Sequence, residues 1–215
     1  MNKKIKGLLF DLDGVLVTTE HNHFVAWKNT AEILGISFTE EDNEQLKGIS
    51  RVDSLKKILE IGGKTISEKE FDECLVKKNE YYLNSIKDIS RSNLLPGVLD
   101  LLIKAQENGI KCAVGSSSKN ARFIIDKLDI TAYFSVIVDG NDVTFPKPHP
   151  EVFLKGAEQM GLIPSECLVF EDARSGVEAA KNGGFTAIGV GNPSLVGFVD
   201  SYLPNLIEFS LEEYA

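Results

Sequence analysis

Asp11 and Asp13 stand one residue apart at the end of an apolar run, in "LLFDLDGV". On an extended chain such residues face the same way, and two carboxylates on one face repel each other and resist burial. A carboxylate can attack phosphorus as a nucleophile, giving an aspartyl-phosphate. A second can move a proton to or from the acceptor oxygen. An anionic nucleophile meeting an anionic phosphoryl group needs a cation, and oxygen ligands favour Mg²⁺. Glu171 and Asp172 close a second apolar run, "CLVFED", and offer further oxygen ligands. In "VGSSSKN", Ser116, Ser117, Ser118, Lys119 and Asn120 form a turn of small hydroxyls that suits a phosphate where a strand hands over to a helix. Lys147, set between prolines in "FPKPHP", can counter carboxylates and phosphoryl oxygens.

Each cluster alone has an ordinary reading. "DLDG" serves as a loop or helix cap in many proteins, Ser118 as an N-cap, and Lys147 as a solvated loop lysine; His149 reads as a helix-start residue. Their placement is what argues for a site. "IKGLLFDLD" reads as a buried strand, and after residue 93 strand-like and helix-like segments alternate: "VLDLLIKAQENG", "IKCAVGSS", "NARFIIDKL", "FSVIVDG", "PEVFLKGAEQMG", "CLVFED", "GVEAAKNGG", "TAIGVG". Alternation of this kind implies a parallel sheet covered on both faces, and ligands on such sheets bind at the carboxyl ends of the strands. Asp11/Asp13, Ser116–Ser118 and Glu171/Asp172 all fall there.

Between the first strand and this alternating region, only helical signals occur. Phe24, Trp27, Ala31 and Leu34 recur at helical spacing and Gly35 stops that segment. Thr39 can cap the next helix, Val52, Leu55, Ile58 and Leu59 stripe the third, and Ser67 with Glu70 forms a capping box for the fourth. The expected organisation is α/β: a Rossmann-like core with a parallel sheet from residues 1–16 and 93–215, and a small all-helical domain at 17–92.

Composition bounds the function. Of 215 residues 43% are hydrophobic and 26% charged, as in ordinary globular proteins, and 32 acidic against 23 basic residues give a formal charge of −9. That balance argues against a nucleic-acid surface, which needs a basic stripe. Cys74, Cys112 and Cys167 are widely spaced and read as free thiols in a reducing compartment. With no signal-peptide core and no run of membrane length, a cytoplasmic monomer without membrane or nucleic-acid partners is expected.

"DLDGV", "GSSS", the lysine of "PKP" and "ED", in that order, resemble the four motifs of the haloacid dehalogenase superfamily, Mg²⁺-dependent phosphotransferases with an aspartate nucleophile. The helical insertion after the first motif resembles that superfamily's alpha-helical C1 cap. Within it, "HFVAW", "NEQLKGISRVDSLKKIL" and "VKKN" are similar to the beta-phosphoglucomutase family, which interconverts beta-glucose 1-phosphate and glucose 6-phosphate. The resemblance implies Asp11 as nucleophile and Asp13 as general acid/base. It implies Mg²⁺ held by Asp11, the Asp13 carbonyl, Glu171 and Asp172, and Ser116 and Lys147 on the transferring phosphoryl group. His23 would position Asp13. Trp27, Lys47, Gly48, Arg51, Ser54 and Lys78 would line the cap side, and Arg51 with Ser117, Ser118, Lys119 and Asn120 would bind substrate phosphate. Glucose 1,6-bisphosphate would be the priming phosphodonor. Thr18, Ser117 and Ala173 depart from the family pattern (Asp, Ala and Ser are usual) without removing a charged catalytic group. A sugar-phosphate phosphatase on the same core and a non-catalytic phosphate-binding protein are the competing readings.

Overall fold

A computed structural model describes residues 5–46 and 48–214, which form two compact units: Met1–Thr18 with Ile89–Ala215, and Thr19–Asp88. The strands are β1 (Gly7–Phe10), β2 (Lys111–Gly115), β3 (Val136–Val138), β4 (Cys167–Glu171), β5 (Thr186–Val190) and β6 (Ser201–Leu203). The helices are α1 (Glu20–Ile33), α2 (Glu40–Glu44), α3 (Arg51–Ile61), α4 (Glu68–Ser85), α5 (Val98–Glu107), α6 (Ala121–Lys127), α7 (Glu151–Met160) and α8 (Arg174–Asn182).

In the first unit all six strands lie in one parallel sheet, ordered β3-β2-β1-β4-β5-β6. The chain runs outward from β1 to β3 and then returns across it to β4, so the order reverses beside β1. That reversal opens the crevice where such sheets bind ligands. Register decides what meets there. Phe10 lies between Val114 and Phe170, so Asp11 leaves the sheet beside the end of β2 on one side and Glu171 on the other, its N–H donating to the Phe170 carbonyl at 3.0 Å.

β1 is buried at every position, as a central parallel strand covered on both faces must be. Phe10 stacks on Phe170 with centroids 4.9 Å apart. Leu9, Ala113, Phe153, Val169 and Ala187 belong to one core cluster; each large apolar side chain fully buried there is worth about 1.5–3 kcal/mol.

The second unit holds α1–α4 around its own core of Trp27, Ala31, Leu55, Ile58 and Cys74. Its helix starts are written in the sequence: Thr39 with Asp42 and Ser67 with Glu70 form capping boxes, and the Ser50 hydroxyl accepts the Asp53 N–H. Val17 pairs with Leu94 in an antiparallel bridge, and the Leu95 N–H donates to the Leu16 carbonyl at 3.0 Å. Residues 17–18 and 89–92 therefore group with the sheet, whereas the apolar pattern placed them with the helices. β6 was not expected, and β3 is shorter than "FSVIVDG" suggested. Among the described residues, no helix is long and apolar enough to cross a membrane.

Candidate active site

Lys147 organises the carboxyl end of β1. Its Nζ lies 2.5 Å from Asp11 Oδ1 and 2.6 Å from Glu171 Oε1, with the lysine side chain only 1% exposed. Burial works against the ammonium, but Asp11 and then Glu171 outweigh it and hold its pKa above the ordinary lysine value. The lysine stays charged, as a buried cation can only when paired. Glu171 Oε2 accepts the Ala173 N–H at 2.9 Å. A Cβ at Gly176, in the first turn of α8, would collide with the Glu171 carboxylate, so only glycine lets the helix approach that closely.

Asp13 does not sit on the strand, which ends at Phe10. Its backbone pairs with Val17, and Gly14 follows at φ +81°, donating its N–H to the Val17 carbonyl at 2.8 Å. The turn, not strand alternation, aims Asp13. Gly14 answers two demands: its left-handed backbone favours glycine, and a Cβ there would strike the Asp172 carboxylate. The Asp172 carbonyl accepts from Asn192 Nδ2 at 2.8 Å, tying the β4 end to the loop after β5.

Ser116 is buried at the end of β2; its N–H donates to the Val138 carbonyl and its Oγ accepts the Ser118 N–H at 3.1 Å. Ser118 Oγ accepts the Asn120 N–H at 3.2 Å. The helix starts at Ala121 with Asn120 as N-cap residue and no side-chain cap; Ser118 shapes the turn before it. Ser117 and Asn120 are half-buried and Lys119 is exposed. The loop after β3 braces this turn: the Gly140 N–H donates to the Ser118 carbonyl at 3.3 Å and Asn141 Nδ2 to the Lys119 carbonyl at 3.1 Å.

The helical unit carries a second cluster. Lys78, 3% exposed, places Nζ 2.8 Å from His23 Nδ1 and 4.8 Å from the ring centroids of Trp27 and Tyr82. Burial, then Lys78, then Arg51 hold the His23 imidazole well below its ordinary pKa. A neutral ring accepting at Nδ1 carries its proton on Nε2. Arg51, half-buried at the start of α3, has its own pKa lowered by burial, opposed by Tyr82. Trp27 is a core residue here, showing one ring face to Lys78. Ser54 is buried and donates to the Ser50 carbonyl at 2.9 Å. Gly48 is half-buried, and Lys47 lies outside the described residues.

The acidic residues of the first unit are an all-oxygen donor set, as Mg²⁺ requires. Among the described residues no three acidic, histidine or cysteine side chains converge into a metal-binding group, because Lys147 lies between Asp11 and Glu171. The arrangement fits Mg²⁺ as an ion held by one or two carboxylates with retained waters, not one enclosed in a protein cage. The seat of the Asp172 carboxylate against Gly14 is a cradle that a Cβ would fill.

Three residues of this region carry no motif signal: Asn141, Asn192 and Glu151, whose carboxylate accepts the Thr144 and Phe145 N–H groups. Each works by a side-chain bond to backbone. The weak signal available was the Asn192–Pro–Ser194 turn, in which Asn192 Oδ1 accepts the Ser194 N–H.

Residues 5–184 match the family model for haloacid dehalogenase-like hydrolases. The chain is 41% identical over 191 residues to the beta-phosphoglucomutase of Bacillus subtilis, covering 87% of this chain and 84% of that protein. It is 32% identical over 187 residues to a phosphorylated carbohydrates phosphatase of Thermotoga maritima, covering 86% and 84%. The crystal structure of a beta-phosphoglucomutase from Clostridium difficile superposes with a TM-score of 0.94 at 36% identity, over 97% of this chain and 95% of that one. Phosphotransferases of this family generally use Mg²⁺. Sheet order, acidic strand ends and buried lysine agree with these matches, and the chain belongs to the haloacid dehalogenase-like hydrolase family.

Proposed function

We propose that the chain interconverts beta-D-glucose 1-phosphate and glucose 6-phosphate through an aspartyl-phosphate and a beta-glucose 1,6-bisphosphate intermediate, primed by glucose 1,6-bisphosphate. The observation that carries this reading is the second, cationic cluster. A phosphatase needs one phosphoryl site, whereas a mutase must also hold the phosphate that is not reacting and accept either end of the sugar. In the helical unit Lys78 and Arg51 add to burial in holding the His23 imidazole below its ordinary pKa, and these two cations are suited to that task. Similarity to two beta-phosphoglucomutases supports the same reading.

In this mechanism phosphorylated Asp11 receives attack from the sugar 6-hydroxyl. The bond from Asp11 to phosphorus breaks, and Asp13 takes the hydroxyl proton. The bisphosphate turns end for end. Asp11 attacks the phosphorus on O1, Asp13 returns the proton to the departing O1, and glucose 6-phosphate leaves with Asp11 again phosphorylated. Lys147 balances charge on Asp11 and the transferring group, and Ser116 orients that group. Arg51 would offer a bidentate fork to the other phosphate, and Lys47, Gly48, Ser54 and Lys78 are the further substrate-binding positions of this reading. Positioning Asp13 is the role this reading assigns to His23, whose Nε2–H is the donor available for it. Asp11, the Asp13 carbonyl, Glu171 and Asp172 would hold Mg²⁺, which would supply the charge that lets an anionic nucleophile meet an anionic phosphoryl group.

The Thermotoga relative favours a second reading, a sugar-phosphate phosphatase on the same core. Phosphorus NMR of the protein with Mg²⁺, beta-glucose 1-phosphate and catalytic glucose 1,6-bisphosphate separates them. Glucose 6-phosphate is the expected product; inorganic phosphate alone would assign the phosphatase.

A further inference from the structure

The loop that delivers Lys147 to a point between two carboxylates is held after the lysine by the Pro148 carbonyl, which accepts from Asn182 Nδ2 at 3.2 Å, and by the His149 N–H, which donates to the Pro146 carbonyl at 3.0 Å. Before the lysine, Thr144 and Phe145 are exposed, Phe145 at 56%, so burial does not anchor that side of the loop. Pro146 and Pro148 have no N–H to offer, which makes Phe145 the nearest backbone donor before the lysine. That donor and its neighbour are both taken by one oxygen. Glu151 Oε2 accepts the Thr144 N–H at 3.0 Å and the Phe145 N–H at 2.8 Å. The other oxygen, Oε1, pairs with Lys155 at 2.6 Å, and Lys155 also donates to the Asp142 carbonyl at 2.7 Å. The Glu151 carboxyl is pushed down to about 2, by its hydrogen bond from Lys155 and then that from Phe145, so it is ionised throughout the physiological range.

We infer that Glu151 is a positioning residue for Lys147: its carboxylate fixes the Thr144–Phe145 backbone from which the lysine reaches Asp11 and Glu171. The inference rests on the reading of Asp11 as nucleophile with Lys147 beside it. Two N–H groups on one carboxylate oxygen set both the height and the direction of the loop two residues before the lysine. Charge-assisted bonds of this kind are about twice as strong as neutral ones. Release of the brace moves the lysine off its pair of carboxylates, and a displacement near 1 Å in a reacting site costs on the order of 100-fold.

Three substitutions separate reach from charge. E151Q keeps an oxygen at the same reach but loses the charge that pairs with Lys155. E151D keeps the charge but falls short by one methylene. E151A loses both. The test measures kcat and KM for beta-glucose 1-phosphate, turnover of acetyl phosphate, and the melting temperature. E151Q is expected within about 3-fold of the native kcat, while E151D and E151A fall about 10- to 100-fold with KM within about 3-fold, for both donors. If E151A does not fold, the Gln-against-Asp comparison still decides. K155A, which removes only the ion-pair partner, is expected to keep native kcat. A general stability role would make activity follow melting temperature across all four variants. Native kcat in E151D, or equal losses in E151Q and E151D, overturns the inference. If the unaltered protein acts on neither sugar phosphate nor acetyl phosphate, the nucleophile reading itself has failed, a result distinct from both.

Discussion

Two lysines in this molecule are equally buried, at 3% exposure each, and live in opposite surroundings. Lys147 is clasped between two carboxylates. Lys78 lies against an imidazole nitrogen and two aromatic faces. The first has its own pKa raised by pairing; the second, with Arg51, adds to burial in depressing that of a neighbouring histidine. Burial alone therefore says little about a cation's purpose. A lysine clasped between acids is held in place by them, whereas one set beside a histidine and near an arginine belongs to a cluster of the kind the proposed second phosphate needs.

The contrast breaks most severely at the nucleophile. Asp11→Asn is expected to abolish turnover with the fold intact, since an amide cannot form the acyl-phosphate; measurable sugar-phosphate turnover in that variant would sink the mechanism. Asp13→Ala should slow transfer to and from sugar hydroxyls by about 10²–10⁴-fold, while phosphorylation by acetyl phosphate, which has a good leaving group, survives in stopped-flow or phosphorus NMR.

The lysines themselves come next. Lys147→Met leaves two buried carboxylates uncompensated and should cost about 3–5 kcal/mol in urea unfolding. Lys78→Met should cost no more than about 2 kcal/mol, from lost cation–π and hydrogen-bond contacts. It should also raise the His23 pKa, read from its ring protons by NMR. Because the folded His23 value is depressed, that group supports stability above the ordinary histidine pKa and withdraws it as pH falls; the variant should lose part of this acid sensitivity.

Arg51→Ala should lower kcat/KM for sugar phosphates by about 10- to 150-fold through loss of a charge-assisted fork, with little change for acetyl phosphate. Equal loss for both donors would deny the helical cluster its role as phosphate seat. The smallest effect concerns acid stability. The folded Glu151 carboxyl titrates at about 2 against an ordinary 4.5, so its stabilisation is complete above 4.5 and disappears between 4.5 and 2. E151Q should flatten that limb of a pH–stability curve.

Much of this was legible in the residues. Alternation of apolar strand and amphipathic helix foretold the parallel sheet, and Thr39, Ser67 and Glu70 marked helix starts, because caps and periodicity are local. Asp11, Ser116, Lys147 and Glu171 stand out as site candidates because each sits at the end of a strand or in a proline-framed loop. What escaped depended on tertiary register. The three residues of β6 are all half-buried and too few to show a period. The place of Asp13 depends on a turn after Phe10 that the strand rule cannot reach. Asn141, Asn192 and Glu151 bind backbone groups in or beside the motifs from positions outside them, and such bonds leave no pattern in a single sequence. That Lys147 would lie between Asp11 and Glu171, and not merely near them, required the fold.

The short pairing of Val17 with Leu94 has a consequence for how the chain can have been assembled and how it melts. The seventy residues from Thr19 to Asp88 leave and re-enter the α/β unit at one hydrogen-bonded point. To the sheet they are a loop whose ends already touch, and closing a flexible loop of that length costs only about 4 kcal/mol. The excursion has its own apolar core, which an insertion that melts separately from the sheet requires. A calorimetric scan should accordingly resolve two transitions, with the sheet surviving after the helices have gone.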